Sequence, residues 1–271
     1  MQMPSGEADF TVEPVTGRVL RLRDALGVCM YLVIGTRRAA LVDTGHGVGD
    51  LGAFVAGLTD RPVTVLLTHG HIDHAFGASW FDDVLMDPRD LPVLGAHQAL
   101  SAGLIADARR QGHPVAEAPD PATFGRLSPD DRLDLGGLAI RVLEASGHTP
   151  GSVALLIEEE RLLITGDAAN QFTYLFHPEA ATVEQFRKQL GRLRAASDGL
   201  YDRVCVSHGP GDAPRHLLDD LDRLAGRVLA RTDDAVPFEF NGDSGRIARR
   251  AAGDEPHDDD ANLVYNPLRL A

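Results

Sequence analysis

Apolar residues fall into short, strand-length runs separated by polar turns, and two stretches of the chain follow the same plan. In the first, CMYLVIG from Cys29, the turn TRR and then AALVDTG predict a hairpin of two largely apolar strands that ends at Asp43. A glycine-rich segment (44–49) leads to Asp50, the expected N-cap of a short helix carrying Leu51, Phe54, Val55 and Leu58. PVTVLLT, from Pro62 to Thr68, reads as a buried strand that runs directly into HGHIDH. In the second stretch, LAIRVLE (138–144) leads to GHTPGS, and SVALLIEEE with RLLITGD predicts another hairpin, ending at Asp167. A helix follows, capped by Thr182 with Gln185 completing a capping box and with Val183, Phe186, Leu190 and Leu193 on one face. The strand YDRVCVS then delivers His208, and a last helix carries Leu217, Leu218, Leu221, Leu224 and Val228. Two halves of this kind predict two sheets packed together with helices outside.

Residues 87–137 separate the halves and hold a helix-like stretch near Leu94 to Arg110 and the proline-rich EAPDPATFG. This stretch is too short for a separate domain and is expected to cover the site. Beyond about Arg231 the chain is rich in Asp, Gly and Arg, with NLVYNPL (262–268) as a last strand and 241–260 expected to be mobile surface. The organisation expected is a single domain over residues 1–271, with an insertion at about 87–137 and a C-terminal extension from about 232. A chain of 271 residues buries roughly 70% of its unfolded surface on folding, so a substantial core is available.

Composition narrows the class. Hydrophobic residues make up 44% and charged residues 24%, ordinary values for a globular protein, and no apolar run approaches the ~20 residues of a membrane span. The start, MQMPSGEADF, has neither the basic nor the apolar region of a signal peptide, so a cytoplasmic protein without membrane contact is expected. Acidic residues outnumber basic ones 40 to 26, for a formal charge of −14, which disfavours nucleic acid as a partner. Cys29 and Cys205 lie in apolar segments and read as buried free thiols.

The eleven histidines are the informative excess. His69, His71, Asp73 and His74 crowd into six residues after an apolar strand, where each imidazole would need a polar partner and a metal would satisfy them together. His148 in SGHTPGS, Asp167 in ITGD and His208 in SHGPG stand just past other predicted strands. Unrelated loop histidines and capping aspartates would not recur in this way at strand ends. Asp43 either bonds backbone amides at a hairpin end or orients a ligand histidine. His46, His97, His113, His177, His216 and His257 lie outside the motifs and read as exposed or capping histidines, while Phe172, Tyr174, Phe176 and His177 follow Asp167 closely enough to line a pocket or to pack under a helix.

HGHIDH, GHTPGS, the TGD turn, the late SHG and the upstream LVDTG together resemble the metallo-β-lactamase fold superfamily, over residues 29 to about 212. The resemblance implies an α/β fold: a four-layer αββα sandwich of two mixed β-sheets flanked by helices, with the site at one edge. It also implies a first metal on His69, His71 and His148 and a second on Asp73, His74 and His208, with Asp167 bridging and Asp73 or Asp167 orienting the nucleophile. Nitrogen-rich ligation favours two zinc ions, and a bridging carboxylate is compatible with manganese or iron.

Departures from particular branches rank the functions. True zinc β-lactamases lack the bridging aspartate, the flavodiiron branch has glutamate where His71 stands, and quorum-signal lactonases have tyrosine where this chain has Asn170. The pattern resembles the glyoxalase II-like branch, although the acidic tail carries no glutathione-binding motif. The function expected is a binuclear metal-dependent hydrolase using metal-bound hydroxide on a small ester, thioester or related carbonyl substrate. A phosphodiesterase or nuclease, a lactonase and a noncatalytic metal-binding module rank behind it.

Overall fold

The computed structural model describes residues 9–240, 243–249 and 261–271. The first sheet holds seven strands in sequence order: β1 (Phe10–Pro14), β2 (Val19–Asp24), β3 (Cys29–Ile34), β4 (Ala39–Val42), β5 (Val63–Leu66), β6 (Val84–Met86) and β7 (Gly125–Arg126). Strands β1 to β4 are antiparallel, whereas β4 to β7 are parallel. The second sheet joins β8 (Arg132–Asp134), β9 (Ala139–Glu144), β10 (Val153–Ile157), β11 (Leu162–Ile164), β13 (Arg203–Cys205) and β14 (Asp212–Ala213), with β11 and β13 parallel. A smaller third sheet pairs β12 (Phe172–Leu175) with β17 (Asn262–Tyr265), which continues into β16 (Asp243–Ile247) and β15 (Val236–Phe240).

The layers follow from the two-residue alternation of strand side chains. Cys29, Tyr31 and Val33 face Val153, Leu155 and Ile157 in the core between the two large sheets. Their neighbours Met30 and Leu32 point the other way and pack with Leu51 and Val55 of α1 (Leu51–Ala56). On the second sheet, Ala154 and Leu156 meet Phe186, Leu190 and Leu193 of α5 (Val183–Ser197) and Leu221 and Leu224 of α6 (Leu217–Leu229). Strands buried on both faces explain why β3 and β10 are apolar throughout. The result is the αββα sandwich that the family resemblance implies, with the two packed sheets and outer helices that the hydrophobic pattern predicts.

Asp50 caps α1 by accepting from the Ala53 amide, and Thr182 and Gln185 form a complete capping box on α5. The remaining helices are α2 (Ile72–Ala75), α3 (Leu91–Gln98) and α4 (Ala102–Gln111). The single helix expected near Leu94 to Arg110 is therefore two, joined through a tighter turn at Ala99–Ser101 and closed by Gly112 in the left-handed region. Residues 87–137 also supply β7 to the first sheet and β8 to the second. Of the 241–260 stretch expected to be mobile, only 243–249 is described; it contains β16, and His257 lies outside the described residues. Cys29 and Cys205 are buried and free. Among the described residues, no helix is long and apolar enough to cross a membrane.

Candidate metal centre

Strand ends set the geometry. Parallel β4 and β5 finish at the same edge, where they release Asp43 and the HGHIDH segment, and parallel β11 and β13 release Asp167 and His208. The turn after β9 contributes His148. Asp90, just ahead of α3, fastens two of these loops together: its buried carboxylate accepts from the amides of Gly70 (2.7 Å) and Gly151 (2.6 Å) and from the Thr149 hydroxyl (2.6 Å). A Cβ at Gly70 would lie 2.6 Å from the Asp90 carbonyl oxygen, so the middle residue of HGH has to be glycine. Burial pushes the Asp90 carboxyl up, with the donors pulling the other way.

Every residue expected to bind metal lies in one connected cluster. Donor atoms of His69, His71 and His148 lie within 4.8 Å of one another, as do those of Asp73, His74 and His208, and those of His69, His74 and Asp167. Asp167 stands between the groups: its Oδ2 is 3.8 Å from His148 Nε2, 3.7 Å from His74 Nε2 and 3.1 Å from His208 Nε2. The Asn170 amide donates to the other oxygen of Asp167 at 3.1 Å, which fixes the carboxylate's rotation.

Hydrogen-bond partners assign the tautomers of the first group. His148 Nδ1 lies 2.8 Å from the Tyr174 carbonyl and must donate to it, which leaves the lone pair on Nε2. The Thr68 hydroxyl donates to Asp43 Oδ2 (2.8 Å) and so accepts from His69 Nδ1 (3.0 Å), again freeing Nε2. His71 Nε2 donates to Glu179 Oε1 (3.0 Å), which frees Nδ1. Three lone pairs thus converge. His71 Nδ1 and His148 Nε2 face each other at 3.0 Å, an arrangement that repels unless a cation lies between them. His69 Nε2 and His74 Nε2 are buried without any hydrogen-bond partner. Tetrahedral zinc at its usual distances would hold two imidazole nitrogens about 3.3 Å apart, so the 3.0 Å between His71 Nδ1 and His148 Nε2 is close to the separation of two ligands on one ion.

Electrostatics separates the two groups. Burial, with neighbouring imidazoles, drives His69 well below the ordinary histidine range and His148 down to about 3, so both are neutral lone-pair donors. In the second group, burial opposes charge but is outweighed: Asp73, Asp167 and Asp43 hold His74 well above its usual value, and Asp167 and Asp73 push His208 up to about 10. The partner histidines likewise overcome burial to hold Asp73 and Asp167 well below the carboxylate range. Protons therefore occupy the positions facing the two carboxylates, and a divalent cation would displace them. Asp43 sits at the end of β4 with φ 61° and accepts from the Thr68 amide (2.7 Å) and from His74 Nδ1 (2.9 Å). It thus bonds a backbone amide and also fixes the orientation of the His74 ring.

Four contributors escaped sequence reasoning: Asp90, Asn170, Glu179 and His97. His97, expected to be an ordinary surface histidine, is stacked on His71 with centroids 4.3 Å apart and donates to Glu179 at 3.2 Å. Burial raises the Glu179 carboxyl, but hydrogen bonds from His71 and His97 more than reverse this and leave it well below the usual range. His46 is also buried, its Nδ1 2.8 Å from Asp24. No local pattern marks these residues: Asp90 and His97 bracket α3, Asn170 and Glu179 lie in loops, and only the fold brings them to the cluster.

Residues 23–208 match the family model described as the metallo-beta-lactamase superfamily. The acyl-coenzyme A thioesterase MBLAC2 of Gallus gallus is 25% identical over 220 residues, covering 74% of this chain and 78% of that protein. A hydroxyacylglutathione hydrolase of Anaeromyxobacter dehalogenans is 36% identical over 137 residues; the match covers 51% of this chain and 44% of that enzyme, so less than half of its length is spanned. In three dimensions, a metallo-beta-lactamase from Pontibacter korlensis superposes with a TM-score of 0.57 at 20% identity, covering 80% of this chain and 99% of that one, a likeness of fold. With its motifs gathered at one edge of an αββα sandwich and more than two thirds of its length within the family model, the chain belongs to the metallo-beta-lactamase superfamily.

Proposed function

We propose that this protein is a two-metal hydrolase of small acyl thioesters and related esters. The observation that carries the reading is Asp167 Oδ2, which reaches both trios, lying 3.8 Å from His148 Nε2 of the first and 3.1 Å from His208 Nε2 and 3.7 Å from His74 Nε2 of the second, a placement suited to a carboxylate that two ions would share. On this reading His69, His71 and His148 hold the first ion, and Asp73, His74 and His208 hold the second. Such ions, zinc being favoured by the nitrogen-rich set, supply Lewis acidity and a water acidified to near neutrality.

The chain's own residues do the rest. Asp43 and Thr68 fix the ring orientations of His74 and His69, and the Tyr174 carbonyl fixes that of His148. Asn170 holds Asp167 so that Oδ2 faces inward, leaving Asp73 and Asp167 to orient the nucleophile. Tyr174's phenol is pushed up by burial and by Asp167, so it stays protonated. Two relatives bearing the names of an acyl-coenzyme A thioesterase and a hydroxyacylglutathione hydrolase support carbonyl over phosphoryl chemistry. The formal charge of −14 supports the same choice, because a polyanion gains no long-range attraction.

A panel comprising an acyl thioester, a carboxylic ester, a phosphodiester, single-stranded RNA and a β-lactam, measured as kcat/KM on one metal-loaded preparation, tests this reading. The thioester or ester is expected to exceed the others by at least about a hundredfold, or roughly 2.7 kcal/mol of transition-state stabilisation. RNA or phosphodiester cleavage without carbonyl hydrolysis would overturn the substrate class and leave the site intact.

A further inference from the structure

His71 differs from the other two imidazoles of the first trio in what holds its N–H. The His69 proton goes to a hydroxyl and that of His148 to a backbone carbonyl, both neutral, whereas His71 Nε2 donates to the Glu179 carboxylate at 3.0 Å. Glu179 accepts a second bond on the same oxygen from His97 Nε2 at 3.2 Å. A carboxylate only accepts, so both rings must present N–H to it. The His97 ring lies nearly parallel to His71, 17° between planes, and covers its outer face.

These residues come from three distant parts of the chain: His71 caps α2, His97 ends α3, and Glu179 lies in the turn between β12 and α5. The turn itself is clamped from the C-terminal segment. Arg269 donates to the carbonyls of His177 (3.0 Å), Pro178 (2.9 Å) and Ala180 (2.5 Å), bracketing Glu179 on both sides. Nothing in the metal-binding motifs requires such a clamp. Its effect is to hold one carboxylate oxygen where two imidazoles reach it.

We infer that Glu179, backed by His97, is a positioning pair for the first metal: it fixes His71 as the Nε2–H tautomer, so that Nδ1 keeps its lone pair directed toward His148 and His69. The inference rests on the two-metal reading. Without the carboxylate, His71 is the one imidazole of the trio free to carry its proton on Nδ1 or to turn its ring. A charged acceptor also makes the ring a stronger donor than a neutral one would. The segment 87–137, which carries His97, then contributes to the site through α3 and does not merely cover it.

The test is a chelator-competition titration of metal-free protein with zinc, giving two stepwise dissociation constants for the wild type, Glu179→Gln, Glu179→Asp and His97→Phe. Glu179→Gln is expected to weaken one site about 10- to 100-fold and leave the other unchanged, since outer partners of ligand histidines typically carry effects of this size. Glu179→Asp should recover part of the loss, because the charge remains but the reach is shorter. His97→Phe keeps the stacking and should cost less than Glu179→Gln. Wild-type constants in Glu179→Gln, equal weakening of both sites, or a loss that tracks a lower melting temperature of the metal-free protein would each overturn the positioning role. If the wild type takes up no zinc, the two-metal reading fails first, and the two failures are thereby distinguished.

Discussion

At the scale of single residues, the cluster holds protons where the proposed ions would sit. His208 is pushed up to about 10 because Asp167 and Asp73 outweigh the cost of burying its charge, so at neutral pH the metal-free protein holds a proton there. Metal must displace it. Affinity at the second position should therefore rise with pH, by about tenfold per unit for each proton released, and flatten only above the pKa of about 10. Zinc titrations across about pH 6.5 to 8.5, paired with a count of protons released into weak buffer, check this; a constant that does not move with pH would contradict the protonation described. The same logic shows why the ligands were legible in the sequence and their supports were not. Histidines and aspartates after apolar strands advertise a shared cation, because nothing else satisfies so many buried polar atoms at once. Asn170 and Glu179 are single polar residues in loops, and only the folded chain brings them to Asp167 and His71.

Among the elements, the apolar runs of β3, β5, β9, β10 and β13 and the patterned faces of α5 and α6 could be read directly, because each is buried in a way its residue period reveals. The first two strands could not. β2 reads VLRLRD, and its buried Arg21 is tolerated because it pairs with Glu13 on the neighbouring β1 and with Asp212 from far along the chain and lies 5.7 Å from the Tyr31 ring, partners that no residue period reveals. Of the third sheet, β17 was legible as the strand in NLVYNPL, but its pairing was not, since its partner β12 is a short strand about ninety residues earlier. That pairing has a functional consequence: β12 carries the Tyr174 carbonyl that sets the tautomer of His148. Leu263, fully buried in β17 against the α5 and α6 core, should be costly to truncate. Leu263→Ala is expected to destabilise by about 2–5 kcal/mol in denaturant unfolding, the range for emptying a packed leucine site. A change below about 0.5 kcal/mol would mean that the C-terminal strand is not packed as described.

For the whole molecule, two sheets packed face to face place a polar centre at their common edge, and the edge needs a tie between loops from opposite sheets. Asp90 is that tie, linking Gly70 from the first sheet's loop with Thr149 and Gly151 from the second's. Asp90→Ala would strand the buried amides of Gly70 and Gly151, while the Thr149 hydroxyl keeps Ser152 Oγ at 2.7 Å, and a loss of roughly 2 kcal/mol or more is expected, with a melting temperature lowered even in the metal-free protein. A variant that melts like the wild type would show that the two loops hold their positions without it. As proposed, a two-ion centre held by seven side chains would drive thioester hydrolysis. Its most direct test is the initial rate of thioester hydrolysis as zinc equivalents are added to metal-free protein. The expected curve reaches its plateau at two equivalents per chain and falls to baseline on chelation; a rate indifferent to metal, or a plateau reached with no ion bound, would contradict the claim.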